Sequence, residues 1–223
     1  MILIPHIANA NGNLEKYIGK IRSAVLKAEK IVVPKLNISR QIDISFASIH
    51  KFLIPEDRIG GRTYTAGYIQ IDLDVFDDNL SKDVIFEMLS HELAHAARWE
   101  RNDEWTNVLF DEIINEGLAT AFEEEIIQSL KTEYAQFFLK SVSFRTDVEN
   151  EKIFIALRDK LDDKNYNYSD IFFDGKNDLP RWAGYSLGLY LVKKYLKITD
   201  KSVVDAIADK YSDFRVVLGQ DNA

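Results

Sequence analysis

The spacing of hydrophobic residues changes once along the chain, near residue 80. Before that point, residues 2–8 form a short apolar stretch that predicts a strand. Residues 13–33 repeat apolar side chains at helical spacing, and Pro34 is expected to end that helix. Residues 40–49 alternate between apolar and polar side chains, which predicts a half-buried strand.

The segment that follows predicts a second strand and then a helical body. Residues 63–73 are β-branched and aromatic, and Gly60-Gly61 before them indicates a turn. We expect helices at roughly 81–99, 107–130, 132–160, 182–197 and 201–211. Ser81 is the expected N-cap of the first of these helices, and residues 162–180 are polar and predict a loop with a short strand. A small sheet followed by helices predicts an α+β fold.

Composition narrows the class of protein. The chain has 223 residues, which favours one domain, here divided into an N-terminal α/β lobe at 1–78 and a helical lobe at 79–223. Its 28 basic and 36 acidic residues give a net charge of −8, which argues against a nucleic-acid partner. The chain has no cysteine, so disulfides, thiolate zinc clusters and a cysteine nucleophile are excluded.

Targeting and membrane signals also bear on the class. No apolar stretch approaches the roughly 20 residues of a membrane span. The first residues lack the cationic start, the long apolar stretch and the cleavage site of a secretory signal. We therefore expect a cytoplasmic protein with no membrane partner.

Residues 91–95 read His-Glu-Leu-Ala-His, an H-E-x-x-H motif within a predicted helix. His91 and His95 lie one helical turn apart on the same face, so both imidazoles can bind one zinc ion. Glu92 lies about 100° further around the helix, from where it can act as the base for a water on the metal. The alternative is a pair of histidines at helical spacing that serve only as core or surface residues.

Two histidines leave zinc short of a third protein ligand, and a carboxylate on the next helix is the expected source. The candidates are Asp111, Glu112, Glu116, Glu123, Glu124 and Glu125. We favour Glu116, because the small residues Gly117 and Ala119 beside it suit a close helix crossing. Glu112 and Asp111 are the alternatives.

Two other features of this helix carry predictions of their own. We expect residues 123–125, a run of three glutamates, to form a solvated face. Thr120, one turn after Glu116, is positioned to hydrogen-bond a metal ligand.

Three segments together resemble a known group. Residues 88–95 (Met-Leu-Ser-His-Glu-Leu-Ala-His) and 114–119 (Ile-Asn-Glu-Gly-Leu-Ala) are similar to a gluzincin-type zinc metallopeptidase. With residues 179–188 (Leu-Pro-Arg-Trp-Ala-Gly-Tyr-Ser-Leu-Gly), they resemble a bacterial family of predicted zinc-dependent proteases of unknown function. The resemblance covers roughly residues 63–196 and implies a zincin-like fold.

By that resemblance, His91, His95 and Glu116 are the zinc ligands and Glu92 is the catalytic base. The chain departs from better-known gluzincins at Thr120, where an acidic residue often lies. A hydroxyl is a weaker partner for an imidazole N–H than a carboxylate, so Asp111 and Asn115 are the substitutes we consider.

The remaining site predictions concern the oxyanion and the substrate. Tyr185 is our candidate donor to the oxyanion, followed by Arg181 and Tyr190. The alternative is that Tyr185 is a core aromatic on a helix that Gly184 and Gly188 allow to pack closely. Zincins commonly lay an extended peptide against an edge strand, and we expect that edge at residues 64–71. Gly67 would allow close backbone approach there, although an internal strand weakened by glycine is an equal alternative.

These residues predict a zinc-dependent metallohydrolase, specifically a peptidase that acts on a peptide or protein and binds one Zn²⁺ per chain. A catalytically inactive zincin-fold sensor, chaperone or interaction module is the main alternative, and a zinc-free helical protein is a third. His6 and His50 have no ligand-like spacing, so we expect them to be structural or exposed.

Overall fold

A computed structural model of the protein describes residues 1–49, 53–75, 80–102, 104 and 106–219. Four strands lie in the first third of the chain: β1 (Leu3–Ile7), β2 (Ile42–Ala47), β3 (Ile59–Thr65) and β4 (Tyr68–Leu73). The helices are α1 (Ile18–Lys35), α2 (Lys82–Arg101), α3 (Leu109–Leu130), α4 (Phe137–Ser143), α5 (Asp147–Leu157), α6 (Ala183–Thr199), α7 (Val203–Ala206) and α8 (Tyr211–Phe214). The predicted α+β class, with a small sheet before a helical body, is confirmed.

The four strands form one sheet in the order β1-β2-β4-β3. β1, β2 and β4 run parallel to one another, and β3 pairs antiparallel with β4. Alternation along the strands places Ile44 beside Ile69 and Phe46 beside Ile71 on one buried face. α1 and α2 pack against each other, and α2 packs against β3.

The sheet differs from the sequence prediction at its last two strands. The single strand predicted at residues 63–73 is wrong, because the chain reverses at Ala66-Gly67 to form the β3–β4 hairpin. The turn predicted at Gly60-Gly61 is also wrong, since both glycines lie inside β3. A side chain of α2, described below, occupies the space that a β-carbon at Gly61 would need.

The edge strand of the sheet therefore differs from the one that the sequence predicted. β3 is an edge strand and β4 is internal, so the predicted edge at residues 64–71 holds only for its first two residues. Gly67 lies in the hairpin turn, and its carbonyl oxygen accepts from the backbone N–H of Asp43 in β2 at 2.9 Å.

Most predicted helices are present with shifted ends. Ser81 caps α2 as expected, since its hydroxyl oxygen accepts from the N–H of Val84 at 3.1 Å. Pro34 lies within the last turn of α1, where little of the hydrogen-bond ladder remains to be broken.

Three predictions for the second half of the chain are corrected. The helix predicted at 132–160 is two helices, because Thr146 starts α5 with a capping box to Glu149. The helix predicted at 201–211 is only the short helix α7, and α8 begins at Tyr211, where the predicted helix ends. The loop predicted at 162–180 contains a π-helical turn at Asp170–Asp174 instead of a short strand.

The chain folds into two compact units. The first consists of Met1–Arg101 with Glu125–Lys140, and the second of Asn102–Glu124 with Ser141–Ala223. The division into lobes at residue 78 stays a prediction. Within the described ranges, no helix combines the length and the apolar character that crossing a bilayer requires.

Two buried carboxylates in the first unit hold the start of α4. Glu87 of α2 accepts from the backbone N–H groups of residues 135 and 136 at 2.7 and 2.8 Å. Asp57 accepts from those of residues 137 and 138 at 2.6 and 2.9 Å. Four consecutive N–H groups thus bind two charges, and charge-assisted bonds of this kind are stronger than neutral ones. The turn carries Phe138, whose ring packs edge-on against His91.

We expect Glu87→Gln to destabilise the protein, because an amide NH₂ would face a backbone N–H in a buried site. The expected cost is about 2 kcal/mol, which lowers the thermal midpoint by roughly 4–8 °C in a chain of this size. Thermal unfolding followed by circular dichroism measures it. Glu133→Gln, an exposed glutamate in the same segment, is the control. An equal midpoint for the two variants would contradict the role assigned to Glu87.

Candidate metal centre

α2 is buried along most of its length, from Val84 to Arg98. A helix that is buried on all sides places polar residues in the interior, where each needs a partner. Three such residues are those of the H-E-x-x-H motif: His91, Glu92 and His95 are 6%, 5% and 8% exposed.

The two histidines point their rings at each other. Their Nε2 atoms are 3.2 Å apart and their ring centroids 4.9 Å apart. Two nitrogens at this distance can share a proton, or they can both bind one ion. The helical spacing predicted that the two rings share one face of α2, and in the structure their Nε2 atoms also meet.

Glu116 of α3 forms, with these two histidines, a group that could hold a metal ion. His91, His95 and Glu116 are all buried, and each offers one ligand atom within 4.8 Å of the others. Asp111 and Glu112, the alternatives considered from the sequence, do not belong to this group. Asp111 instead accepts a short hydrogen bond from Thr106.

The chemistry of these donors fits zinc. Two imidazoles and one carboxylate are a donor set of catalytic zinc sites, which keep a fourth position open for water or substrate. The group could therefore hold a metal ion, although Glu116 as the third ligand stays a prediction.

Glu92 faces β3, where two residues define its surroundings. The hydroxyl of Thr63 lies 2.8 Å from Oε2 of Glu92 and 2.9 Å from its backbone carbonyl oxygen. A β-carbon at Gly61 would lie only 2.4 Å from Oε1 of Glu92 and 2.6 Å from its Cγ. The missing side chain at Gly61 therefore makes the space that the Glu92 carboxylate fills.

The three glutamates at residues 123–125 were expected on a solvated face, and that expectation is wrong for two of them. Glu123 and Glu124 are 0% and 5% exposed. Glu124 pairs with Lys193 at 2.6 Å, and the half-buried Glu125 pairs with Lys35 at 2.7 Å. Lysines from other helices supply the compensating charge, which the local sequence does not show.

Thr120 does not act on a ligand side chain in the way predicted. Its hydroxyl donates to the backbone carbonyl oxygen of Glu116 at 2.8 Å, a bond within α3. His6 is exposed as expected and lies 2.7 Å from the carboxylate of Asp43. His50 lies outside the described residues.

Close packing of α3 against α6 explains the glycines of both segments. A β-carbon at Gly117 would lie 2.3 Å from the backbone carbon of Gly188. One at Gly188 would lie 2.2 Å from the carbonyl oxygen of Ile113. Gly184 makes room for the ring of Phe172, which a β-carbon there would meet at 2.4 Å. The close crossing predicted from small residues is confirmed.

Tyr185 lies half-buried among aromatic rings. It packs edge-on against Phe172, with centroids 5.5 Å apart, and against Phe173, with centroids 6.3 Å apart. Its assignment as the oxyanion donor stays a prediction.

Tyr168 is a residue that the sequence did not single out. Its hydroxyl donates to Oε1 of Glu116 at 3.2 Å, and its ring stacks on Phe172 with centroids 4.3 Å apart. Burial, followed by the charge of Glu116, raises the pKa of Tyr168 well above its ordinary value. Burial also raises the pKa of the nearby Tyr166 to about 12, with a further contribution from Glu112. The sequence signal that could have identified Tyr168 is a pair of tyrosines, Tyr166 and Tyr168, among the polar residues 162–170.

Comparison with known proteins agrees with this geometry. No curated protein and no solved structure matches the chain significantly. A family model, DUF2268, described as a predicted Zn-dependent protease, matches residues 34–215. This range includes the H-E-x-x-H motif, Glu116 and Tyr185. The chain therefore belongs to the DUF2268 family of predicted zinc-dependent proteases.

Proposed function

We propose that the protein is a zinc-dependent metallopeptidase that binds one zinc ion through His91, His95 and Glu116. The observation that carries the proposal is the buried group of these three side chains, whose ligand atoms lie within 4.8 Å of one another. Membership of the family supports both the metal and the class of reaction. A zinc ion bound there would act as a Lewis acid on a water molecule and on a peptide carbonyl.

Glu92 is the base in this proposal. It follows His91 directly in α2 and does not belong to the group of three ligands. Its Oε2 is held by the hydroxyl of Thr63, while the backbone of Gly61 leaves room for Oε1. Glu92 takes the proton of the attacking water and then delivers it to the leaving amine. A carboxylate held this way needs little reorganisation during the reaction.

The substrate is an extended segment of peptide or protein. β3 is an edge strand, and an edge strand can add a peptide through main-chain hydrogen bonds. Gly61 and Thr63, which contact Glu92, belong to this same strand. A peptide paired with β3 would therefore run beside the base. Tyr185 is our candidate donor to the oxyanion that develops on the peptide carbonyl.

We expect Glu92→Gln to retain zinc and to lower peptide hydrolysis by about 10²–10⁴-fold, because glutamine cannot accept the proton of water. Zinc is measured by elemental analysis of protein purified without chelator, and hydrolysis with a fluorescently labelled unfolded protein and a peptide library. Glu100→Gln, an exposed glutamate near the end of α2, is the matched control and should behave as wild type.

Three outcomes of this experiment would contradict parts of the proposal. Full activity in Glu92→Gln would reject Glu92 as the base. Zinc-loaded wild-type protein that cleaves neither substrate would favour a metal-binding sensor or interaction module. Absence of zinc, with no thermal shift on adding it, would favour a zinc-free helical protein, because specific binding stabilises the folded state.

We expect Gly61→Ala to lower hydrolysis by about 10- to 100-fold without loss of zinc. The added methyl group would push aside the Glu92 carboxylate, and a misplacement of about 1 Å has effects of this size. Because Cγ of the buried Glu92 would also have to move, thermal unfolding of the variant is measured beside its activity. The control is Gly67→Ala, whose β-carbon would meet its nearest neighbour at 3.9 Å. If both variants had equal activity, Gly61 would have no part in placing the base.

A further inference from the structure

We propose that Tyr168 is a positioning residue that fixes the carboxylate of Glu116 for metal binding. Its hydroxyl donates to Oε1 of Glu116 at 3.2 Å. The inference rests on the proposed function in one respect, namely that Glu116 is a metal ligand. It assigns to Tyr168 no contact with the substrate and no part in proton transfer.

The geometry of a carboxylate explains why such a residue is useful. Glu116 has two equivalent oxygens on a side chain with several rotatable bonds. A hydrogen bond to one oxygen fixes the plane of the carboxylate and leaves the other oxygen for the ion. Partners that orient metal ligands in this way commonly change metal affinity by 10- to 100-fold when they are removed.

Tyr168 is itself held in place by its ring. Phe172 stacks on it almost in parallel, at an interplanar angle of 14°, and is completely buried. Phe172 reaches this position because Gly184 has no side chain. Tyr185 packs edge-on against the same Phe172 ring, with centroids 5.5 Å apart. The ring that carries the Tyr168 hydroxyl is therefore held within a cluster of aromatic side chains.

The other hydroxyl groups nearby do not perform this role. Thr120 donates to the backbone carbonyl oxygen of Glu116. Tyr166 lies close enough for the charge of Glu116 to raise its pKa, but the described hydrogen bonds include none between these two residues. Tyr166 therefore offers a matched control: the same residue type beside the same carboxylate without the bond.

The test measures zinc affinity of the apo-protein by competition with a chromogenic zinc chelator. We expect Tyr168→Phe to weaken zinc binding by about 10- to 100-fold and Tyr166→Phe to change it less than about twofold. Phenylalanine keeps the ring that stacks on Phe172, so the variant should fold. Thermal unfolding of the apo-protein checks this separately.

A double-mutant cycle with Glu116→Ala separates positioning from general loosening of the fold. Once the carboxylate is gone, Tyr168→Phe should have almost no further effect on zinc affinity. The visible absorption spectrum of the Co²⁺-substituted protein gives a second measurement. It should differ between wild type and Tyr168→Phe, because it reports directly on the coordination of the ion.

Each contrary result has a distinct meaning. An unchanged zinc affinity in Tyr168→Phe, with a loss in Glu116→Ala, would overturn the role of Tyr168 and leave the ligand assignment intact. An equal loss in the presence and absence of Glu116 would show that Tyr168 acts on the fold and not through the carboxylate. Full zinc affinity in Glu116→Ala would overturn the third ligand and this inference together.

Discussion

Two buried imidazole nitrogens 3.2 Å apart are the constraint on which the site depends. Such a pair is stable when it shares a proton or a cation, and the two rings keep this distance only while their helix remains intact. α2 is therefore buried from Val84 to Arg98, with β3 against one side and the turn bearing Phe138 near His91. Much of the first unit serves to hold this one helical turn in a dry environment.

The buried carboxylates of this acidic chain are satisfied in two different ways. Glu87 and Asp57 receive two backbone N–H groups each, and Glu124 pairs with a lysine. Glu92 and Glu116 each accept a hydrogen bond from a neutral hydroxyl, that of Thr63 and that of Tyr168. A neutral donor orients a carboxylate without cancelling its charge.

Local patterns in the sequence predicted the parts of the structure that depend on near neighbours. The H-E-x-x-H helix, its Ser81 cap and the tight crossing at Gly117 follow from spacing and residue size over a few positions. Two of the errors arose where a distant residue decides the outcome, whereas the division of the helix predicted at 132–160 follows from the local capping box of Thr146 and Glu149. Gly60-Gly61 looks like a turn until Glu92, some thirty residues later, is seen to fill the space above it. Glu124 looks solvated until Lys193 is placed beside it.

The contact between Gly117 and Gly188 limits which substitutions this chain can accept at the two positions. Many helix crossings tolerate exchange, in which one side chain grows as its opposite shrinks. Here both positions already carry the smallest residue, and each would drive a β-carbon into the other helix's backbone. Neither glycine can be replaced by a smaller residue, so a larger residue at one position cannot be compensated by substitution at the other. A relative with a bulkier residue at either position must hold the two helices further apart.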